Sequence, residues 1–492
     1  TTLNKRRINI IIMYRPPIVT ILGHVDHGKT TLLDYIRKSN VATKEHGGIT
    51  QSIGAYEIDT GIKDYHTSKI TFIDTPGHEA FTKLRARGAE VADIVLLIVD
   101  AKDSVMPQTI ESIAHIKAAN IPYIIIANKI DLPDAKPEKI KNDLLKHNIQ
   151  VESKGGTALF MGVSAKTGAG VKELLESILL LSSDLNLTCE LSNAPQAYII
   201  ETKKDKHGLV VHAVIKDGTL HTGDTIYFET KKTKIRSLTN DQGIRAKEVA
   251  PSTPFELLGF EELPAVGTLI STNPEIAAKP IVDVTPPKKF SIEDVLNTQT
   301  EKRLSVILKA DVQGSLEAIL NSIEKNKNVK VALSGVGEIN KSDLFLAKTT
   351  KSIVIGFNVK PNSDVVDLAK QEKVVIKTYN IIYELLDELT EVSSLMKEKE
   401  ESEKNTKGEA KIAAVFIIEK EKVFGIKVTK GKANIGDNVE VFRDKNKVGK
   451  TKIISLRQRA KTVEEVKKDQ EAGMLFSPEL DIKVGDVIKF IL

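Results

Sequence analysis

The run GHVDHGKT, Gly23 to Thr30, sets two glycines, a lysine and a hydroxyl at the spacing that wraps a phosphate. Gly23 and Gly28 let main-chain amides approach without a Cβ clash, and the amino end of a following helix adds partial positive charge. Lys29 is expected to reach the β- and γ-phosphates, and the Thr30 hydroxyl to ligate Mg²⁺. His24, Val25, Asp26 and His27 make up the body of this loop. The rings of His24, His27 and His46 are read as locally hydrogen bonded or solvated rather than catalytic.

Three more clusters suit the rest of a nucleotide. Asp74-Thr75-Pro76-Gly77-His78 ends an alternating run from Lys69, so a carboxylate meets a glycine loop. Asp74 can hold a metal-bound water, and Gly77 can present its amide to a γ-phosphate. Asn128-Lys129-Ile130-Asp131 follows the apolar run Tyr123 to Ala127. A carboxylate at Asp131 accepts two hydrogen bonds from guanine N1 and N2, an edge adenine lacks, and so sets base choice. Ser164-Ala165-Lys166 follows the run Ala158 to Val163. It is placed to offer a main-chain amide to guanine O6, with Lys129 and Lys166 flanking the ring.

Each cluster needs a scaffold that holds it beside the others. All four stand at the carboxyl ends of runs that read as β-strands, and Thr31 to Ile36 takes helical apolar spacing directly after the lysine. Ligands bind at that end of α/β sheets. Residues 15–182 are therefore expected to form a P-loop GTPase domain that binds GTP or GDP with Mg²⁺.

Together GHVDHGKTTL, DTPGH, NKID and SAK resemble the translational GTPases, and GGITQSIGAYEI, Gly47 to Ile58, resembles within them the bacterial initiation-factor-two family. The resemblance runs from Arg15 to Leu492. It implies that Thr50 completes the Mg²⁺ shell with Thr30 and Asp74 when GTP is bound and lets go on hydrolysis. It implies that His78 orients the attacking water once the ribosome docks, with Val25 and Ile49 as its apolar gate. It also assigns Asp26 to a monovalent cation or to the phosphate loop. The Gly47-Gly48 pair suits a mobile switch segment. The chain departs from the family at Ser52, where histidine is usual. Gly425-Ile426 replaces a common Gly-Cys, and Arg457-Gln458-Arg459 a Lys-Arg-aromatic run.

Beyond residue 182 the pattern shifts to short strands and turns. The expected architecture is multidomain α/β and β. Residues 1–14 are a leader, with Met13 a candidate start, and 188–283 a β-barrel. Residues 284–300 are a linker marked by Pro286-Pro287-Lys288-Lys289, and 301–391 an α/β/α sandwich domain. Residues 392–407 are a charged helical linker and 408–492 a second β-barrel. A shift of 213 residues lays Gly218, Gly223 and Asp224 on Gly431, Gly436 and Asp437, which predicts related barrels. Within the third domain, Ser315 is read as a helix cap and Gly335-Val336-Gly337 as a turn.

Over 492 residues, 71 basic side chains against 66 acidic ones leave a net charge of +5. That total is too small to predict nucleic-acid binding. Residues 408–492, however, hold 18 Lys and Arg against 13 Asp and Glu, so the excess sits in the last barrel. By the resemblance this barrel binds the formylmethionyl end of initiator tRNA. Arg443, Arg457 and Arg459 are candidates, beside Lys427, Lys430, Lys432, Lys450, Lys452 and Lys461. No apolar run reaches the roughly 18 residues of a membrane span, and the single cysteine, Cys189, suits a reducing cytoplasm.

The expected function is a monomeric, cytoplasmic initiation GTPase. It would recruit formylmethionyl initiator tRNA to the small ribosomal subunit and promote joining of the large one, with ribosome-stimulated hydrolysis. Two alternatives remain at this level: an elongation-type or ribosome-assembly GTPase, and a nucleotide-gated RNA-binding protein with incidental hydrolysis.

Overall fold

The structure, a computed structural model, describes residues 12–39, 50, 53–77, 79–206, 208–278, 303–418, 421–444, 446–459 and 461–491. His46, Ile49, Ser52, His78 and the 284–300 linker lie outside the described residues. The chain divides into two compact units, Thr1–Asn297 with Ser305–Leu389, and Thr298–Leu304 with Thr390–Leu492.

The first unit begins with β1 (Ile12–Tyr14), then β2 (Ile18–Gly23), α1 (Lys29–Arg37), β3 (Gly54–Asp59), β4 (Lys69–Asp74) and α2 (Thr82–Val91). There follow β5 (Ile94–Asp100), α3 (Pro107–Ala119), β6 (Tyr123–Asn128), α4 (Pro137–Leu145), β7 (Leu159–Gly162), α5 (Val171–Asp184) and β8 (Thr188–Glu190). The main sheet has the order β3-β4-β2-β5-β6-β7. It is parallel except for β3, which runs antiparallel to β4. β5 is buried at all seven positions, which is why it reads as a continuous apolar run rather than an alternating one. Ile94, Leu96 and Ile98 face one core with Leu32 and Leu174, whereas Val95, Leu97 and Val99 face the other with Ile113 and Leu144. Residues 12–14 were expected in the leader; they instead pair with β8, Met13 opposite Cys189.

The first barrel orders its strands as Lys231–Lys234, Thr225–Phe228, Leu269–Ser271, Gln196–Asp205, Gly208–Asp217, Pro254–Leu258, Ser237–Asn240 and Arg245–Ala246. It is fastened to the GTPase domain through Asp93, which Lys216 of the barrel reaches at 3.4 Å. Both terminal nitrogens of the Arg15 guanidinium donate to that carboxylate at 2.6 and 2.7 Å, and Ser252 of the barrel donates to the Pro16 carbonyl at 2.6 Å. Burial works against ionisation of Asp93, but Arg15 and Lys216 outweigh it and hold the carboxyl below its usual range.

The third domain is a four-stranded sheet in the order Val329–Val336, Leu304–Ala310, Ile353–Phe357, Ile376–Tyr379. Two of its helices, Lys341–Thr350 and Ser363–Glu372, were not read from the sequence. The first carried a signal in Asn340 and Asp343, which form a reciprocal capping box. Ser315 is not a cap: the 313–324 helix starts at Gln313 after Val312, and Ser315 is fully buried inside its first turn. Gly335 and Val336 extend a strand, so only Gly337 belongs to a turn.

The helix Ile382–Lys404 stops short of the predicted linker end. Thr406 and Lys407 already belong to the second barrel's first strand, Thr406–Ile418, where Lys407 pairs with Asp437 at 2.7 Å. That barrel closes on itself in the order Thr406–Ile418, Val487–Ile491, Asn438–Arg443, Asn446–Gln458, Glu471–Ser477, Glu421–Asn434, the last pairing back to the first. The internal repeat appears in both barrels bond for bond. Asp224 accepts from the His221 amide and Asp437 from the Asn434 amide, each at 2.8 Å. Gly223 and Gly436 donate across to Ile235 and Ile453 at 3.0 and 2.8 Å. Among the described residues no helix is long and apolar enough to cross a membrane.

Candidate functional site

The loop between β2 and α1 closes on Gly28, which caps α1 at φ 90°. That left-handed conformation favours glycine, and a Cβ there would also collide with the Asn128 side-chain amide. Lys29 is 7% exposed and folds back on its own loop, donating to the carbonyls of Gly23 at 2.9 Å and His24 at 2.6 Å. Burial lowers its pKa to about 8 against the opposing pull of Asp74. The Val25 amide donates to Gln108 of α3 at 2.9 Å.

His27 is not solvated, the second of the two expectations for its ring. The residue is 1% exposed and its ring lies edge-on to His24 at 5.0 Å. Burial, with His24 and Lys29 adding to it, lowers its pKa to about 4. Asp26 is exposed at φ 63°.

Thr30, Thr50 and Asp74, far apart in sequence, converge. The Thr30 and Thr50 hydroxyls are 2.7 Å apart, and Thr50 donates to Asp74 Oδ2 at 3.4 Å. Two hydroxyls and a carboxylate are hard oxygen donors of the kind Mg²⁺ takes, so the residues present fit that ion. The loop after Asp74 is braced from below. Thr75 donates to the Ile21 carbonyl at 2.8 Å, and the Pro76 carbonyl accepts from Arg85 at 3.1 Å.

Arg85 was missed by motif reading. It is fully buried on α2 and also binds Glu111 at 2.6 Å. Burial disfavours the Glu111 carboxylate, but hydrogen bonds from His115, Thr82 and Arg85 override it and hold the pKa at about 2. Nothing in the spacing of α2 marks Arg85, because helical periodicity counts apolar positions and a buried guanidinium occupies one of them. Gly77 lies against Lys29 and Val25, and a Cβ on it would strike the Lys29 ammonium.

At the other end of the loop is a cavity of about 230 Å³ whose lining includes Gly28, Asn128, Lys129, Asp131, Ala165 and Lys166. Asn128 is 1% exposed and works as a tie rather than a free cavity wall. Its amide nitrogen donates to the His27 carbonyl at 2.8 Å, and its oxygen accepts from the Ala165 amide at 3.0 Å. Ser164 donates to Asp131 Oδ1 at 2.7 Å and accepts from the Thr167 amide at 3.1 Å, which orients the carboxylate. Lys129 pairs with Asp100 at 2.6 Å. Phosphate loop, metal oxygens and base pocket thus all stand at the carboxyl ends of strands of one sheet, β2, β4, β6 and β7.

In the second barrel the three candidate arginines separate. Arg443 is committed to its own fold, donating to both Asp486 oxygens at 3.0 Å and to the Asp481 carbonyl at 2.6 Å. Arg443, one of the three arginines put forward from the sequence, is thus also part of the barrel's own ion-pair network. Arg457 and Arg459 are exposed at the end of the Asn446–Gln458 strand.

Residues 15–183 match the Elongation factor Tu GTP binding domain, residues 194–273 match Elongation factor G domain 2, and residues 283–390 match Translation-initiation factor 2. Translation initiation factor IF-2 of Bartonella bacilliformis is 43% identical over 96% of this chain and 58% of its own length. The same factor from a Geobacillus species is 42% identical over 97% of this chain and 67% of its own. The chain thus spans a little over half to two thirds of these relatives. A solved structure, GDP-bound aIF5B from Aeropyrum pernix, is 26% identical with a TM-score of 0.46, covering 97% of this chain and 92% of that one. The site's four motifs lie in the first matched domain, and a relative two thirds covered at 42% identity carries the assignment: the chain belongs to the translation initiation factor IF-2 family.

Proposed function

We propose that this protein is a ribosome-activated GTPase that brings formylmethionyl initiator tRNA to the small ribosomal subunit, promotes subunit joining and leaves on hydrolysis. The observation that carries the nucleotide part is the convergence of Thr30, Thr50 and Asp74 at one end of the Lys29 loop, with Asp131 held by Ser164 at the other.

In this reading the loop amides from His24 to Thr30 and the Lys29 ammonium hold the β- and γ-phosphates. Lys29 exchanges the two carbonyls it now holds for phosphate oxygens. Thr30, Thr50 and Asp74 would hold Mg²⁺, which offsets phosphate charge when bound. Gly77 presents its amide to the γ-phosphate, and Thr50 leaves the cluster once that phosphate is gone. His78, next in the chain, orients the attacking water; Val25 and Ile49 shield it until the ribosome docks. Asp131 reads guanine N1 and N2, the Ala165 amide faces O6, and Lys129 and Lys166 flank the ring. Asn128 sets the distance between base and phosphate sites. Arg457 and Arg459 contribute to tRNA binding in the last barrel.

The experiment measures GTP turnover by the chain alone, with ribosomes, and with ribosomes plus initiator tRNA. A large rise with the complete mixture is expected, and His78→Ala should abolish that rise while keeping nucleotide affinity. Turnover that stays at the unassisted rate would replace this reading with nucleotide-gated RNA binding.

A further inference from the structure

Glu201, on the first barrel's Gln196–Asp205 strand, sits where three domains meet and is 2% exposed. Its Oε1 accepts from the Thr202 amide at 2.8 Å and from the Gly314 amide, in the first turn of the third domain's 313–324 helix, at 3.1 Å. Its Oε2 is buried and, among the described residues, has no hydrogen-bond partner. A Cβ on Gly314 would lie 2.6 Å from that oxygen and 3.0 and 3.1 Å from the Leu84 methyls of α2. Barrel, helix and α2 therefore close on one carboxyl group with no room for a side chain at position 314.

The same helix carries the rest of the contact. Arg87 of α2 pairs with Glu317 at 2.9 Å, and Lys83 of α2 donates to Asn321 at 3.1 Å. Lys203 bridges Val312 through the backbone. α2 in turn holds the nucleotide loop, since Arg85 donates to the Pro76 carbonyl.

We propose that Glu201 is a proton-linked positioning residue: its carboxyl group seats the 313–324 helix against α2, and gain or loss of a proton there shifts the balance between the docked and the released third domain.

The charges around it support this. Lys203 is on its own strand, while His212, directly opposite, and Glu256 are on neighbouring strands, with Glu256 3.3 Å from Lys203 and 3.5 Å from His212. Asp311 and Glu317 act on it from the third domain, and α2 carries Lys83 and Arg87, which are engaged with Asn321 and Glu317. Burial raises the Glu201 pKa to about 7 against the two amide donors, and Asp311 and Glu317 push the same way. A buried acid without full pairing is cheaper neutral than charged. Docking is then strongest below the ordinary carboxyl range near 4.5 and weakens as pH rises toward 7, because the released group gives up its proton first. The proposal does not depend on which nucleotide or RNA the protein takes.

The test is hydrogen–deuterium exchange at the Gly314 amide in the full chain, corrected for intrinsic rates, from pH 5 to 8. Native protection should fall by at least about tenfold across that range, in keeping with roughly 1.4 kcal/mol per pKa unit. Glu201→Gln, which keeps the shape and cannot ionise, should give a flat profile. If that variant does not fold, Asp311→Asn serves, because removing a negative neighbour should move the midpoint to lower pH. A flat native profile, an undiminished slope in Glu201→Gln, or an unmoved midpoint in Asp311→Asn each overturns the proposal.

Discussion

The side-chain amide of Asn128 donates to the main-chain carbonyl of His27 at 2.8 Å, across 101 positions of sequence. Because its oxygen also accepts from Ala165, one buried residue fixes three loops: phosphate loop, base loop and its own. Gly28 makes this possible, since any Cβ there would occupy the place of the Asn128 amide.

Asn128→Ala removes both ties and leaves a buried carbonyl and a buried amide unpaired, at about 1–3 kcal/mol each. GDP affinity should drop by roughly 10- to 100-fold, and urea unfolding should show a loss of about 2–4 kcal/mol. Affinity within twofold of the native chain, measured by titration with a fluorescent nucleotide, would remove Asn128 from the role of tie.

Asp131→Asn replaces an acceptor pair by one donor and one acceptor. GTP binding should weaken by about 1–3 kcal/mol while xanthosine triphosphate, whose 2-position is a carbonyl, should gain. Competition between the two nucleotides checks this, and an unchanged base preference would sink the assignment.

Lys29 gives a pH dependence. In the free chain its pKa is about 8, down from 10.5. Phosphate prefers the charged ammonium, so binding above pH 8 must take up a proton. Affinity for GDP should be level below pH 8 and decline by up to about tenfold per unit above it. Calorimetry in two buffers of different ionisation enthalpy at pH 9 should detect that uptake; binding without proton uptake contradicts the assignment.

The arginines of the last barrel should behave in opposite ways. Arg443→Ala strips the guanidinium from Asp486, whose side chain is 2% exposed, and should lower the melting temperature by roughly several degrees. Arg457→Ala and Arg459→Ala should leave it unchanged but weaken initiator tRNA binding and reduce its salt dependence. A salt slope identical to the native chain in the double variant would exclude both from the RNA contact.

How much was legible follows from the range over which each signal acts. β5 announced itself because a strand buried on both faces must be apolar at every position. The Lys29 loop did so because phosphate binding needs glycines and a lysine within one turn. Arg85, Gln108 and the Ser164–Asp131 bond left no such mark, since each acts on a loop that chain folding, not local spacing, brings near. Ser315 misled for a related reason. A serine near a helix start usually caps it, but this one is fully buried within the first turn of a helix that begins two residues earlier.

The sequence by itself determined the chemistry on offer, a phosphate loop, a carboxylate for a metal, a guanine reader and a basic last barrel, because residue type and short spacing decide what a group can donate or accept. Only the tertiary structure decided which groups share a site. It joined Thr50 to Thr30 and Asp74, turned Asn128 into a tie, and paired Arg443 with Asp486. It also buried Glu201 where barrel, helix and α2 meet. These are long-range contacts, and their energies depend on burial and partner distance, quantities that a one-dimensional pattern does not contain.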